Sequence, residues 1–175
     1  MLEARSALTT ARPLAGEGLA INEAGDFLLT QLAWFDKSDE KTLKDLLGAL
    51  PARVGQTAAA EAGTLLRTGP QQLWLLQEGR TAALPLLPSS TLVTPLSSSR
   101  SRIAVAGPKA RDVLARCAAI DFHASAFKPG SFAMTGIHHT PALIHCIGED
   151  SFHVFAMRTF GLAVWEWLTD AATGL

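Results

Sequence analysis

The sequence predicts an α+β protein made of two small two-layer halves, each an antiparallel sheet with helices. Three observations carry this. Short apolar runs alternate with turn signals at hairpin spacing, and only three stretches hold clear helical periodicity. An apolar run ending in Gly-Pro also occurs twice, as Leu65-Leu66-Arg67-Thr68-Gly69-Pro70 and as Ile103-Ala104-Val105-Ala106-Gly107-Pro108. The expected organisation is an extended N-terminal arm over 1–18, a first half over 19–93 and a second over 94–175.

Residues 1–18 lack periodicity and include Pro13, Gly16 and Gly18, which predicts the arm. Asp26–Phe35 alternates as a strand with apolar groups on both faces. Ser38, followed by Asp39 and Glu40, predicts a helix start, because acidic groups favour the positive helix end. Leu43, Leu46, Leu47 and Leu50 then form an apolar stripe, and Pro51 stops it. Gly55–Gly63 reads as a flexible stretch and Thr64–Thr68 as a strand. Leu73–Gln77 fits either a strand or a short helix. Pro85, Pro88, Pro95 and the run Ser97–Ser101 mark the boundary between halves.

In the second half, Arg102–Ala106 is a strand and Pro108 suits the first position of a helix, where its missing N–H costs nothing. That helix would bury Ala110, Val113, Leu114 and Cys117. Strands follow over 131–138 and 142–147, joined near His139-Thr140-Pro141, and another over 151–157 after Gly148-Glu149-Asp150. Thr159 caps a last helix whose Phe160, Val164, Trp167, Leu168 and Ala171 share a face.

Composition narrows the function classes. The 175 residues are 48% hydrophobic but only 18% charged, and mean hydropathy is +0.21, which excludes a disordered chain. A net charge of −1 supplies no basic field for nucleic acid. No apolar run reaches the ~20 residues of a membrane span, and Met1–Pro13 lacks a secretory apolar core, so a cytoplasmic protein is expected. Cys117 and Cys146 are too few for a disulfide framework and read as buried thiols.

The search for chemistry returns little. The sequence holds no G-x-G-x-x-G, Walker loop, H-E-x-x-H, C-x-x-C or G-x-S-x-G. Of the five histidines, His138 and His145 fall on neighbouring predicted strands, but no carboxylate spacing completes a metal site, and adjacent His138 and His139 would point to opposite faces. Tyrosine is absent. No catalytic residue and no metal ligand is expected. The remaining candidates are large aromatics, Trp34, Trp74, Trp165 and Trp167, because such rings dominate interface energetics.

A resemblance then becomes visible. Arg102-Ile-Ala-Val-Ala-Gly107-Pro108-Lys-Ala-Arg-Asp-Val-Leu114, Ile120-Asp121-Phe122-His123 and Ala126-Phe127-Lys-Pro129-Gly130-Ser131 resemble the gamma subunits of heterotetrameric sarcosine oxidases. So do Phe152-His-Val-Phe, Arg158-Thr159-Phe160, Leu162-Ala-Val-Trp165-Glu-Trp167-Leu168, and the first-half steps Leu50-Pro51 and Gly69-Pro70 before Leu73-Trp74-Leu75-Leu76. The match runs from about residue 26 to the C-terminus. That family is in turn similar to the folate-binding aminomethyltransferases (glycine cleavage T-proteins), of which it looks like a reduced version.

The resemblance implies an aminomethyltransferase-like fold without the transfer chemistry. T-proteins orient the folate amine with an Asp in a hairpin that corresponds here to Gly136-Ile137-His138-His139-Thr140-Pro141, which has no carboxylate. Their strand Tyr and Asn fall near His153 and Met157-Arg158. A Lys-Gly-Cys-Tyr motif of a sister group matches only Lys128-Pro129-Gly130, and an acidic step is replaced by Pro95-Leu96-Ser97. The implied role is a non-catalytic packing subunit, with alpha, beta and delta partners carrying FAD, FMN, NAD, tetrahydrofolate and zinc and oxidatively demethylating sarcosine. The alternatives are a stand-alone folate-binding or one-carbon-transfer protein, and a homodimer when isolated.

Overall fold

The computed structural model describes residues 5–81 and 84–175; the first four residues of the expected arm lie outside the described residues. Along the chain run β1 (Leu14–Gly16), β2 (Leu19–Glu23), β3 (Phe27–Trp34), α1 (Asp39–Leu47), β4 (Thr57–Ala60), β5 (Gly63–Gly69), β6 (Gln72–Glu78) and β7 (Thr91–Pro95). A 3₁₀ turn (Ser97–Ser99) leads to β8 (Arg100–Ala106), α2 (Ala110–Cys117), β9 (Phe132–Ile137), β10 (Thr140–Gly148) and β11 (Ser151–Met157). A second 3₁₀ turn (Arg158–Phe160) opens α3 (Gly161–Ala172). The α+β class and the antiparallel sheets match the expectation. The ambiguous segment around Leu73–Gln77 is a strand.

The chain divides into two compact units, one formed by 26–98 and the other by 1–25 together with 99–175. This partition differs from the expected arm and boundaries. Of the expected arm over 1–18, residues 14–16 are strand β1, paired with β2 (Leu14↔Ile21), and β2 in turn pairs with β8 (Ala20↔Ala106, Ile21↔Val105). Likewise β7 pairs with β3 across the expected 93/94 division, so the break falls after Ser98. Local composition marks where a chain turns; it does not report which distant strand supplies the hydrogen bonds.

The discontinuous unit holds a six-stranded antiparallel sheet in the order β1-β2-β8-β11-β10-β9. Ile103, Val105, Ile144, Cys146, Phe152 and Val154 share one face, against which α2 and α3 bury Val113, Leu114, Val164, Trp165 and Leu168. Arg111 locks this side. Its guanidinium donates to the carbonyls of Phe122 (2.6 Å), Phe127 (3.1 Å) and Glu149, and its carbon lies 5.1 Å from the Phe152 ring centroid. Phe122, Phe127 and Phe152 pack edge-on or stacked beside it.

The continuous unit is a five-stranded sheet in the order β4-β5-β6-β3-β7, with Leu43 and Leu47 of α1 packed on Leu32, Trp34, Leu65, Leu73 and Leu75. Its clasp is Arg67, which donates to Glu40 (2.6 Å), to the Pro51 carbonyl (3.1 Å) and to the Pro70 carbonyl, beside the Trp34 ring. The arginine holds the Glu40 carboxyl below its ordinary range. Part of the expected flexible stretch Gly55–Gly63 is strand β4, paired with β5 through Ala58↔Leu65.

Three helix details differ from expectation. First, α1 ends at Leu47 on a left-handed Gly48 (φ 77°), so the stripe keeps Leu43 and Leu47, while Leu46 is exposed. Second, α2 begins at Ala110, because Pro108 belongs to a turn closed by Ala110 N–H on the Gly107 carbonyl (2.8 Å). Third, α3 begins at Gly161 and buries Val164, Trp165 and Leu168, leaving Phe160 exposed. A Cβ on Gly161 would lie 2.6 Å from Ser101 Oγ, so this close approach to β8 fixes which face of α3 turns inward.

Gly107 is tightly constrained. It has φ 115°, and the Gly18 carbonyl stands where a Cβ would be. Replacing Gly107 by Ala is expected to cost at least about 2 kcal/mol of unfolding free energy in urea. The control Gly16→Ala, with nothing within 4 Å of the added methyl, should change stability little. Equal effects of the two would refute the constraint.

Candidate functional site

The four tryptophans occupy unlike positions. Trp34 (2% exposed), Trp74 (5%) and Trp165 (5%) are buried, which leaves them almost no area for another chain. Trp74 Nε1 donates to Gln31 Oε1 at 3.3 Å. Only Trp167 is partly accessible, half-buried against the core. Its ring lies 4.7 Å from that of His138, tilted by 56°. Trp165 and Trp167 stand two residues apart, about 200° around the helix, so the two rings leave α3 in different directions.

The expected joint near His139-Thr140-Pro141 is a two-residue turn, His138-His139, between Ile137 and Thr140. His138 has φ 49°, a left-handed value uncommon for a residue with a side chain, and its N–H donates to the Cys117 carbonyl at 3.2 Å. This removes His138 from any strand and from the neighbourhood expected with His145. The structure instead brings His145 opposite His153 across β10 and β11, with ring centroids 6.4 Å apart.

His145 is buried, and its Nδ1 has no hydrogen-bond partner. Burial, with a smaller contribution from His153, pushes its pKa from 6.5 down to about 4. At neutral pH His145 is therefore an uncharged group of the sheet. Among the described residues, no three His, Cys, Asp or Glu side chains come together as metal ligands. Burial also pushes the thiols of Cys117 and Cys146 up, so neither is an activated nucleophile.

Accessible apolar groups remain. In the continuous unit Phe35, Val54, Leu86, Leu92 and Val93 are exposed. In the other unit Met134, Ile147, Met157, Phe160 and Leu162 are exposed. Met134 (β9), Pro141 (β10) and Met157 (β11) lie on the sheet face opposite the helices, by the registers Met134↔Leu143 and Leu143↔Phe155. Sequence reasoning missed all three. Strand alternation would have put them on one face, but both faces are apolar, so alternation alone did not say which residues stay uncovered.

Residues 64–175 match the family model of the GCVT N-terminal domain. This chain belongs to that family. Sarcosine oxidase subunit gamma from Corynebacterium sp. (strain U-96) is 31% identical over 128 residues, covering 70% of this chain and 62% of the relative. The subunit gamma of Arthrobacter sp. is 33% identical over 130 residues, covering 71% and 64%. The match thus spans somewhat under two thirds of the length of these curated relatives. Among solved structures, the heterotetrameric sarcosine oxidase from Corynebacterium sp. U-96, in complex with pyrrole 2-carboxylate, has a chain similar at TM-score 0.84 and 26% identity, over 98% of this chain and 95% of that one. The glycine cleavage system aminomethyltransferase T from Bartonella henselae shares the fold at TM-score 0.65 and 18% identity, over 86% of this chain and 45% of that one.

The turn between β9 and β10 presents two imidazoles, one of them tilted against the Trp167 ring. The His145 environment has a measurable consequence. Its folded pKa lies below the unfolded value, so the unfolded chain binds the extra proton between them. Stability from neutral His145 is therefore full above pH 6.5 and is lost as pH falls toward 4, on the order of 3 kcal/mol in total. Urea unfolding should weaken between pH 6.5 and 5, and His145→Leu should flatten that slope; an unchanged slope would contradict the assignment.

Proposed function

We propose that this chain is a non-catalytic, gamma-type assembly subunit of a flavin-dependent sarcosine oxidase complex that oxidatively demethylates sarcosine. The observation that carries the reading is the likeness over nearly the whole chain, at TM-score 0.84, to a chain of a heterotetrameric sarcosine oxidase. Its chemistry supports it too: thiols held protonated, histidines apart from any carboxylate cluster, and apolar side chains left accessible. Alpha, beta and delta partners would carry FAD, FMN, NAD, tetrahydrofolate and zinc, and the complex would work in the cytoplasm. None of the described helices is long and apolar enough to cross a membrane.

Of the four tryptophans, Trp167 is the partner-contact residue in this reading. Trp167→Ala should weaken the complex by ~2 kcal/mol or more while the free chain keeps its melting transition. Trp165→Ala should instead cost about 3–5 kcal/mol of fold stability. If Trp167→Ala leaves assembly intact, that contact is refuted.

The role itself is tested by purifying the tagged full-length chain from its native cells. Larger chains identified by mass spectrometry as sarcosine oxidase subunits, with a flavin spectrum and sarcosine turnover, are expected. A colourless single chain would overturn the proposal. The second reading, a stand-alone folate binder, draws on the fold shared with aminomethyltransferase T. It requires heat on titration with tetrahydrofolate and a micromolar Kd, about −8 kcal/mol; the assembly reading expects none.

A further inference from the structure

Two cavities beside α1 differ in charge. One has Asp45 and Glu61 at its rim, next to Leu46 and Leu47. The other, of about 380 Å³, is lined by Glu40, Lys41, Lys44 and Arg67, with an apolar wall of Leu50 and Ala52. This second cavity sets three cations against one carboxylate, a net of two positive charges, in a chain whose overall net charge is −1.

The single carboxylate is already engaged, since Glu40 Oε1 accepts from Arg67 Nη1 at 2.6 Å. The lysines are not. Among the described residues, neither Lys41 nor Lys44 has an ion-pair or hydrogen-bond partner, and at three-residue spacing they share one side of α1. Arg67 is the rigid part of the cavity. Its side chain is only 10% exposed, and its bonds to Glu40 and to the Pro51 and Pro70 carbonyls hold the guanidinium in place. Those bonds use three of the five guanidinium N–H donors, and among the described residues the other two have no acceptor. A fixed guanidinium flanked by two ammonium groups suits phosphate, because arginine supplies directed hydrogen bonds and lysine a point charge. The net charge also matches a phosphate monoester, which carries about −1.5 to −2 at pH 7. The volume falls in the ~300–1,000 Å³ range of small-molecule sites, so an organic body fits beside Leu50 and Ala52.

We propose that this cavity binds a small phosphate monoester, its dianion held by Lys41, Lys44 and the uncommitted donors of Arg67, and its organic body laid against Leu50 and Ala52. Such a site serves the chain whether or not it assembles with other subunits.

The test is an NMR titration of the full-length chain with glycerol 3-phosphate at constant ionic strength, so that general screening stays fixed. Saturable shifts are expected at the Lys41 and Lys44 amides and at the Arg67 side-chain N–H groups. The double variant Lys41→Gln, Lys44→Gln should weaken binding at least about tenfold with an unchanged melting transition, because both side chains are exposed and unpaired. Lys37→Gln, an exposed lysine outside the cavity, should bind as wild type does. No saturation, or wild-type affinity in the double variant, would overturn the proposal. An equal response to succinate, a carboxylate dianion, would overturn the choice of phosphate. Inorganic phosphate should bind more weakly than the ester, because it leaves the apolar wall unused; equal affinity would assign the cavity to free phosphate and overturn the monoester.

Discussion

A backbone contact at Gly107 holds the discontinuous unit together. The Gly18 carbonyl occupies the space a Cβ would need, and the same carbonyl accepts the Lys109 N–H at 3.0 Å. The Gly107 N–H in turn donates to the Asp150 carbonyl at 2.9 Å, in the turn between β10 and β11. One residue thus joins the end of β8, the approach to α2, the amino-terminal hairpin and a distant turn. Because β2 can reach β8 only through this approach, the six-strand order and the buried positions of Leu19 and Ile21 follow from it.

Each unit sets an arginine beside its apolar core, Arg67 buried and Arg111 half-buried. Arg111 and Arg67 both donate mainly to backbone carbonyls and both lie near an aromatic ring. A buried guanidinium is costly unless its donors are satisfied, and carbonyls satisfy them without bringing in a second buried charge. These charges are structural. The groups that could have done chemistry are tuned the other way, with thiols kept protonated and His145 kept neutral by burial.

Much of the fold was legible in the sequence because its signals are local. The strand over Asp26–Phe35, the α2 face Ala110, Val113, Leu114 and Cys117, and the strand over 151–157 need only alternation or helical spacing. What escaped was non-local. Residues 14–18 look like part of an arm until β2, itself held by β8, pairs with β1, and the core face of α3 includes Trp165, which the expected stripe left out. The tryptophans show the same limit. Size and apolarity mark Trp34, Trp74, Trp165 and Trp167 alike, yet only helix rotation and sheet register separate the three buried rings from the accessible one. The Met134–Pro141–Met157 strip was invisible because it depends on which face of a doubly apolar sheet stays open.

A chain that serves by assembly and not by chemistry should govern how much complex forms, and leave untouched how fast each complex works. Deleting it from its native cells and restoring it in trans separates the two, through the yield of sarcosine oxidase complex and its turnover per bound flavin. Deletion should collapse the yield and restoration recover it, while whatever complex survives turns over sarcosine at the wild-type rate per flavin. A complex that assembles in full without this chain but loses its turnover would contradict the assembly role and place a catalytic group in this chain.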